Sequence, residues 1–126
     1  MRKFLVAASL AVLPAAALVG QASAAKARPT ATAPNVVHIT ASKSGLKYMQ
    51  TVVHARAGRI KIIFTNPSAL QHDVKIEVGE SEAGGTKSIA KGTTTAYATL
   101  KAGTYKFYCS VPGHEAAGMT GTLIVS

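Results

Sequence analysis

Residues 104–126 read TYKFYCSVPGHEAAGMTGTLIVS, two segments of β-strand character that enclose a loop. In the first segment Tyr105, Phe107 and Cys109 occupy alternate positions. Their side chains therefore share one face of a strand. The loop that follows contains a Pro-Gly pair, which is typical of a turn. The sequence therefore predicts two strands joined by a turn that follows Cys109.

The chain from residue 36 onward has the same character. Short runs rich in β-branched residues are separated by turn signals that contain glycine, proline or asparagine. Besides 104–109 and 120–126, the predicted strands are VVHIT (36–40), TVVHA (51–55), RIKIIF (59–64), HDVKIEV (72–78) and TAYATL (95–100). Only 41–49 and 79–90 have room for a short helix. The pattern predicts an all-β fold, an antiparallel Greek-key β-sandwich of seven or eight strands.

The N-terminal residues have the composition of a secretory signal peptide. Two basic residues precede an apolar run, and Ala22-Ser23-Ala24 fits the small-residue cleavage site. The run is short for a transmembrane anchor and is interrupted by Pro14. We therefore expect a soluble protein in the periplasm or outside the cell, without a transmembrane anchor. The predicted organisation is a cleaved signal peptide (1–24), a flexible lead-in (25–35) and a single domain (36–126).

The chain is strongly basic. It has 14 Lys and Arg against 5 Asp and Glu, and cleavage after Ala24 removes two of the basic residues, which leaves a net charge of +7. Such a surface favours an acidic partner. The basic residues are scattered singly and none form a cluster interleaved with aromatic residues, so no nucleic-acid partner is expected.

Cys109 is the only cysteine. Exported proteins usually pair their cysteines, and a single one cannot form an internal disulfide. Four roles remain open at this point: an intermolecular disulfide, a buried inert thiol, a nucleophile or a metal ligand.

His114 and Met119 follow Cys109 within eleven residues. A thiolate, an imidazole and a thioether together suit copper, whereas a structural zinc site has little use for the thioether. A mononuclear blue-copper site needs a second histidine from a distant part of the chain. Of the other histidines, His38 and His54 lie within predicted strands, while His72 follows a turn and stands at the end of one.

Two stretches, HARAGRIKIIFTNPSALQHDV (54–74) and LKAGTYKFYCSVPGHEAAGMTGTLIV (100–125), resemble the cupredoxins, the family of small blue copper proteins. The resemblance implies one type 1 copper per chain. Its equatorial ligands would be His72, Cys109 and His114, and Met119 would be the weak axial ligand. Asp73 stands where the family pattern has asparagine.

The resemblance also implies a function. A cupredoxin is not an enzyme but an electron carrier, and electrons pass through the exposed edge of the histidine that corresponds to His114. We expect a monomer that exchanges electrons with redox proteins bearing an acidic docking patch, for example a c-type cytochrome or a terminal oxidase. The backbone N–H groups of Asp73 and Val111 are expected to face the sulfur of Cys109. The alternative is copper delivery or sequestration, for which a more open, Met- or His-rich site is expected.

Overall fold

Eight β-strands make up the computed structural model, which describes residues 35–126. The strands are β1 (Val36–Thr40), β2 (Val52–Ala55), β3 (Gly58–Asn66), β4 (Lys75–Val78), β5 (Ser81–Gly85), β6 (Gly92–Leu100), β7 (Gly103–Tyr108) and β8 (Thr120–Val125). The predicted signal peptide and almost all of the lead-in lie outside the described residues, and that division of the chain stays a prediction. No helix within 35–126 has the length and apolar character needed to cross a membrane.

The strands form two sheets that enclose one core. One sheet has the order β1-β3-β6 and the other has the order β2-β8-β7-β4-β5. The alternating pattern of β3 buries Ile60, Ile62 and Phe64 completely on one face, and β7 and β8 contribute Phe107 and Leu123 from the opposite sheet. The predicted all-β sandwich is confirmed.

The sheets are mixed rather than purely antiparallel. β1 pairs with β3 and β2 pairs with β8 in parallel, whereas the other pairs are antiparallel. The chain alternates between the sheets from β1 to β2 to β3, so β1 and β3 become neighbours through a crossover and not through a hairpin. Alternation of apolar residues indicates which face of a strand is buried and carries no information on the direction of its neighbour.

One strand, β5, lies within 79–90, a segment whose sequence leaves room for a short helix. Its sequence, SEAGG, lacks the alternation of a half-buried strand. It is an edge strand that pairs with β4 alone, and a Cβ at Gly84 would lie 2.6 Å from the carbonyl oxygen of Tyr97. Glycine therefore allows β5 to approach β6 of the other sheet closely. The second helix candidate, 41–49, is a bend closed by a bridge between Ala41 and Tyr48.

The pairing of β7 with β8 positions the turn that was predicted from the sequence. The register places Tyr108 opposite Thr120, at the same end of the two strands. Cys109 directly follows β7 and Met119 directly precedes β8, so both residues emerge side by side at the edge of the core. The intervening residues form a turn at this end of the sandwich.

Candidate metal centre

Cys109 and Met119 are held together by the backbone. The N–H of Cys109 donates to the carbonyl of Met119 at 3.1 Å, and the N–H of Met119 donates to the carbonyl of His114 at 3.0 Å. Both Cys109 and Met119 have fully buried side chains. The three residues that are close in sequence are therefore also close in space.

The turn that presents His114 is fixed by its own hydrogen bonds. The N–H of His114 donates to the carbonyl of Val111 at 3.0 Å, and the N–H of Gly118 donates to the carbonyl of Glu115 at 2.9 Å. Gly113 and Gly118 have φ angles of 83° and 100°, in the left-handed region that favours glycine. The turn sequence thus places a half-buried imidazole over Cys109.

His72 reaches the same point from the loop between β3 and β4. It forms an isolated bridge with Ile89, in which the two residues exchange N–H···O bonds of 3.0 and 2.9 Å. His72 is fully buried, and the two residues that follow it, Asp73 and Val74, are buried as well, whereas Gln71 before it is exposed. The backbone bridge therefore holds the imidazole in the interior, although His72 lies outside any strand.

Asn66 organises this loop, a role that the predictions from the sequence did not include. Its side-chain NH₂ donates to the carbonyls of Leu70 at 2.7 Å and Ile89 at 2.6 Å, and its Oδ1 accepts the N–H of Ser68 at 2.9 Å. The residue is fully buried at the end of β3. The only sequence signal was an asparagine followed by proline, two residues after the predicted strand 59–64.

Three donor atoms converge at this end of the sandwich. The Nδ1 atoms of His72 and His114 are 3.1 Å apart, and the Sγ of Cys109 lies 3.9 Å from the first and 3.5 Å from the second. Nitrogen and sulfur donors in a trigonal plane around one first-row metal ion, ~2.0–2.3 Å from it, are about 3.5 Å apart. The observed separations fit a single ion. Within 35–126 no other group of three His, Cys, Asp or Glu side chains is placed to hold a metal.

Burial determines the protonation of the donors. Burial lowers the pKa of His72, the nearby His114 lowers it further, and the Asp73 charge opposes them. Burial raises the pKa of the Cys109 thiol, and the backbone N–H groups of Asp73 and Val111 oppose this by hydrogen bonding to the sulfur. The Nε2 atom of His72 is buried without a hydrogen-bond partner in the described part of the chain. The metal-free site thus favours a neutral imidazole and a thiol, and metal binding must displace the thiol proton.

The side chain of Asp73 ties the two ligand-bearing segments together. Its two oxygens accept hydrogen bonds from the backbone N–H of Ser110, at 2.7 Å, and from the hydroxyl of Ser110, at 2.5 Å. Asp73 follows His72 and Ser110 follows Cys109. The carboxylate therefore fixes the spacing between two of the three donor residues.

The remaining histidines are placed elsewhere. His38 lies in β1 and His54 lies in β2, and both are exposed. Neither belongs to the donor cluster. The site of the described chain is thus built from His72, Cys109 and His114, with the buried Met119 beside them.

Comparisons with known proteins agree with this geometry. The family model "Copper binding proteins, plastocyanin/azurin family" matches residues 35–126. Among curated proteins, chloroplastic plastocyanin of Pisum sativum is 33% identical over 120 residues, which cover 87% of this chain and 69% of that protein.

Solved structures show the same fold. Reduced auracyanin from Roseiflexus castenholzii matches with a TM-score of 0.69 and 25% identity, over 75% of this chain and 98% of that one. Auracyanin A, a "blue" copper protein from Chloroflexus aurantiacus, matches with a TM-score of 0.66 and 23% identity, over 74% of this chain and 99% of that one. The chain is a cupredoxin and belongs to the plastocyanin/azurin family of copper-binding proteins.

Proposed function

We propose that this protein is an exported blue-copper electron carrier, with His72, Cys109 and His114 as equatorial ligands and Met119 as the axial ligand of one copper ion. The observation that carries the proposal is the convergence of one sulfur and two imidazole nitrogens within 4.8 Å at the edge of the core. A copper ion held by these donors supplies one-electron exchange between Cu(I) and Cu(II).

The chain holds the donors in a rigid frame. His72 is fixed by its bridge to Ile89, and Cys109 is fixed by its hydrogen bond to Met119. Because these donors are already buried and bonded, little of the protein has to rearrange when the charge at the site changes. A rigid, closed site supports electron transfer, whereas delivery of copper to another protein requires that the ligands open.

His114 is the proposed point of electron exchange, because it is the only half-buried member of a donor set whose other members are fully buried. Both histidine-bearing loops expose apolar side chains, with Leu70 53% exposed and Ala116 and Ala117 also exposed. A small apolar surface of this kind suits brief docking of a redox partner.

The charge distribution supports an acidic partner. Lys87 and Lys91 are exposed on either side of Ile89, the residue that bridges to His72, so two positive charges lie near the proposed docking surface. Four of the five acidic residues in the chain line one cavity together with Lys106 and Tyr108, namely Glu77, Glu80, Glu82 and Glu115. Of these, Glu115 lies next to His114 in the chain, and its charge is paired with Lys106 at 2.6 Å. We propose that the lysines steer a redox protein with an acidic patch, such as a c-type cytochrome or an oxidase, toward His114.

Addition of Cu(II) to the purified protein tests the proposal. An intense blue absorption band that ascorbate bleaches is expected for the unaltered protein and for the control His54→Ala, which removes an exposed strand histidine. The band should be absent in Cys109→Ser, because the thiolate is lost. Copper uptake without colour in the unaltered protein would contradict electron transfer and favour delivery or sequestration.

A further inference from the structure

Asp73 is a buried carboxylate with a fixed position next to the donor cluster. It is 3% exposed, and each of its two side-chain oxygens accepts a hydrogen bond from Ser110. Its main-chain carbonyl also accepts a hydrogen bond of 2.6 Å from the hydroxyl of Tyr48. Because both the side chain and the backbone of Asp73 are anchored, its charge cannot move away from His72 and Cys109.

No cationic side chain in the described part of the protein neutralises this charge. The ion pairs within 35–126 are those of Lys106 with Glu77 and with Glu115, both at the surface. A buried carboxylate without a cationic partner is costly. The two hydrogen bonds from Ser110 stabilise the carboxylate, and the adjacent donor cluster is the place from which a positive charge can offset its negative charge.

Hydrogen bonding alone does not explain the carboxylate. An asparagine of the same shape can accept the N–H of Ser110 through its oxygen and donate to the Ser110 hydroxyl through its NH₂. The two hydrogen bonds that join residue 73 to Ser110 would then persist without a charge. What aspartate adds at this position is one unit of buried negative charge.

We propose that Asp73 is the positioning residue that sets the reduction potential of this centre, by favouring the more positively charged oxidised state over the reduced state. The inference rests on the proposed copper site. A fixed negative charge interacts more strongly with the oxidised site, whose charge is higher by one unit, and the interaction is weakly screened in the interior. The carboxylate should therefore lower the potential relative to a neutral side chain.

The test is a redox titration of the copper-loaded protein and of Asp73→Asn. We expect the variant to favour the reduced state roughly tenfold more, which corresponds to a rise of about 59 mV for a one-electron couple. Asp73→Ala, a second neutral variant, should shift the equilibrium in the same direction and serves if Asp73→Asn does not fold. An unchanged or lower potential in the neutral variants would overturn the proposal.

Two further variants separate the buried charge from other effects. Glu80→Gln removes a negative charge from an exposed position and should leave the potential near that of the unaltered protein. Ser110→Ala removes the hydroxyl donor but keeps the carboxylate, so it should not raise the potential. A rise in Glu80→Gln equal to that in Asp73→Asn would assign the effect to net charge and contradict the role of Asp73.

Amide hydrogen exchange of Ser110 in the metal-free protein provides a readout that does not depend on copper. Exchange should remain slow in Asp73→Asn, which keeps the acceptor, and should become faster in Asp73→Ala, which lacks it. Equal exchange in the unaltered protein and in Asp73→Ala would refute the positioning part of the proposal. Absence of a blue band in the unaltered protein would instead refute the proposed function, so the two failures are distinguishable.

Discussion

The hydroxyl of Tyr48 donates a hydrogen bond of 2.6 Å to the backbone carbonyl of Asp73, across the core of the sandwich. The ring of Tyr48 packs against Phe64 at 6.3 Å and against Phe107 at 5.2 Å between centroids, which joins both sheets. Burial is the main cause of its raised pKa, so the phenol stays protonated and keeps donating. A core aromatic residue therefore supports the backbone next to His72.

Tyr48→Phe removes this donor and leaves the buried carbonyl of Asp73 unpaired. We expect a loss of about 1–2 kcal/mol in the free energy of unfolding, measured by urea denaturation. The control is Tyr105→Phe, which removes a hydroxyl that donates to the carbonyl of Lys101 in an exposed position. That bond can be replaced by water, so the control should lose about 0.5 kcal/mol or less. Equal losses in the two variants would contradict the supporting role of Tyr48.

Asn66 provides a test of the loop that carries His72. Asn66→Asp keeps the shape but replaces the NH₂ donor with an oxygen that faces the carbonyls of Leu70 and Ile89. We expect the free energy of unfolding to fall by roughly 2–4 kcal/mol. Asn35→Asp is the control, because its NH₂ donates to the carbonyl of Arg59 in an exposed position. If Asn35→Asp loses as much free energy of unfolding as Asn66→Asp, the buried hydrogen bonds of Asn66 do not stabilise the loop more than an exposed bond does.

The sequence predicted the strands, from local residue composition, and the metal-binding side chains, from their chemistry. It did not predict contacts between residues far apart in the chain. The limits of β1 were predicted to the residue, since VVHIT is rich in β-branched residues, and the Cys109, His114 and Met119 group was visible because its members are close in sequence. The bond of Asn66 to Ile89 was missed, because its partner lies 23 residues away. Alternation of apolar residues cannot reveal such a bond.

The predicted strand 72–78 shows a second limit. Alternation over HDVKIEV predicts Asp73 on the polar face and Val78 on the apolar face, but Asp73 is 3% exposed and Val78 is 40% exposed. β4 begins only at Lys75, because the preceding residues bond to other segments: the N–H of Val74 donates to Thr86 Oγ1 at 3.0 Å. Near the site, burial is therefore determined by contacts with other segments and not by the two-residue period of a strand.

Gly121 in β8 lies directly opposite Phe107 in β7, and a Cβ at this glycine would collide with the aromatic ring. Gly121→Ala should therefore lower the free energy of unfolding by about 1–3 kcal/mol, since the ring has to leave its packed position. The double variant Gly121→Ala with Phe107→Leu should lose less than the sum of the single losses, because a smaller side chain relieves the collision. Strict additivity in urea denaturation would contradict direct packing between the two residues.

Val111 tests the second hydrogen bond to the sulfur. Its backbone N–H hydrogen-bonds the sulfur and opposes the rise in the pKa of Cys109 that burial causes, because a donor to the sulfur favours the thiolate. Val111→Pro removes this N–H, so the thiolate donates more charge to the metal and favours the oxidised state. We expect the reduction potential to fall by about 59 mV, a tenfold change in the one-electron equilibrium. Val111→Ala keeps the N–H and should retain the original potential, and a fall of equal size in that control would refute the explanation.

Lys87 and Lys91 test whether electrons enter near the histidine loops under electrostatic steering. Electron exchange with ferricyanide, an anionic oxidant, should slow as ionic strength rises, because salt shortens the Debye length from about 10 Å at 0.1 M to about 3 Å at 1 M. The double variant Lys87→Gln with Lys91→Gln should react more slowly with ferricyanide at low salt and respond less to added salt.

Two controls make the steering test specific. Lys61→Gln removes a positive charge from β3 rather than from the loop next to His72, so it should leave the ferricyanide rate close to that of the unaltered protein. Tris(phenanthroline)cobalt(III), a cationic oxidant, should react faster with the double variant than with the unaltered protein, because repulsion is reduced. If the ferricyanide rate is independent of salt, or if Lys61→Gln slows the reaction as much as the double variant does, the lysines beside Ile89 do not direct the partner to His114.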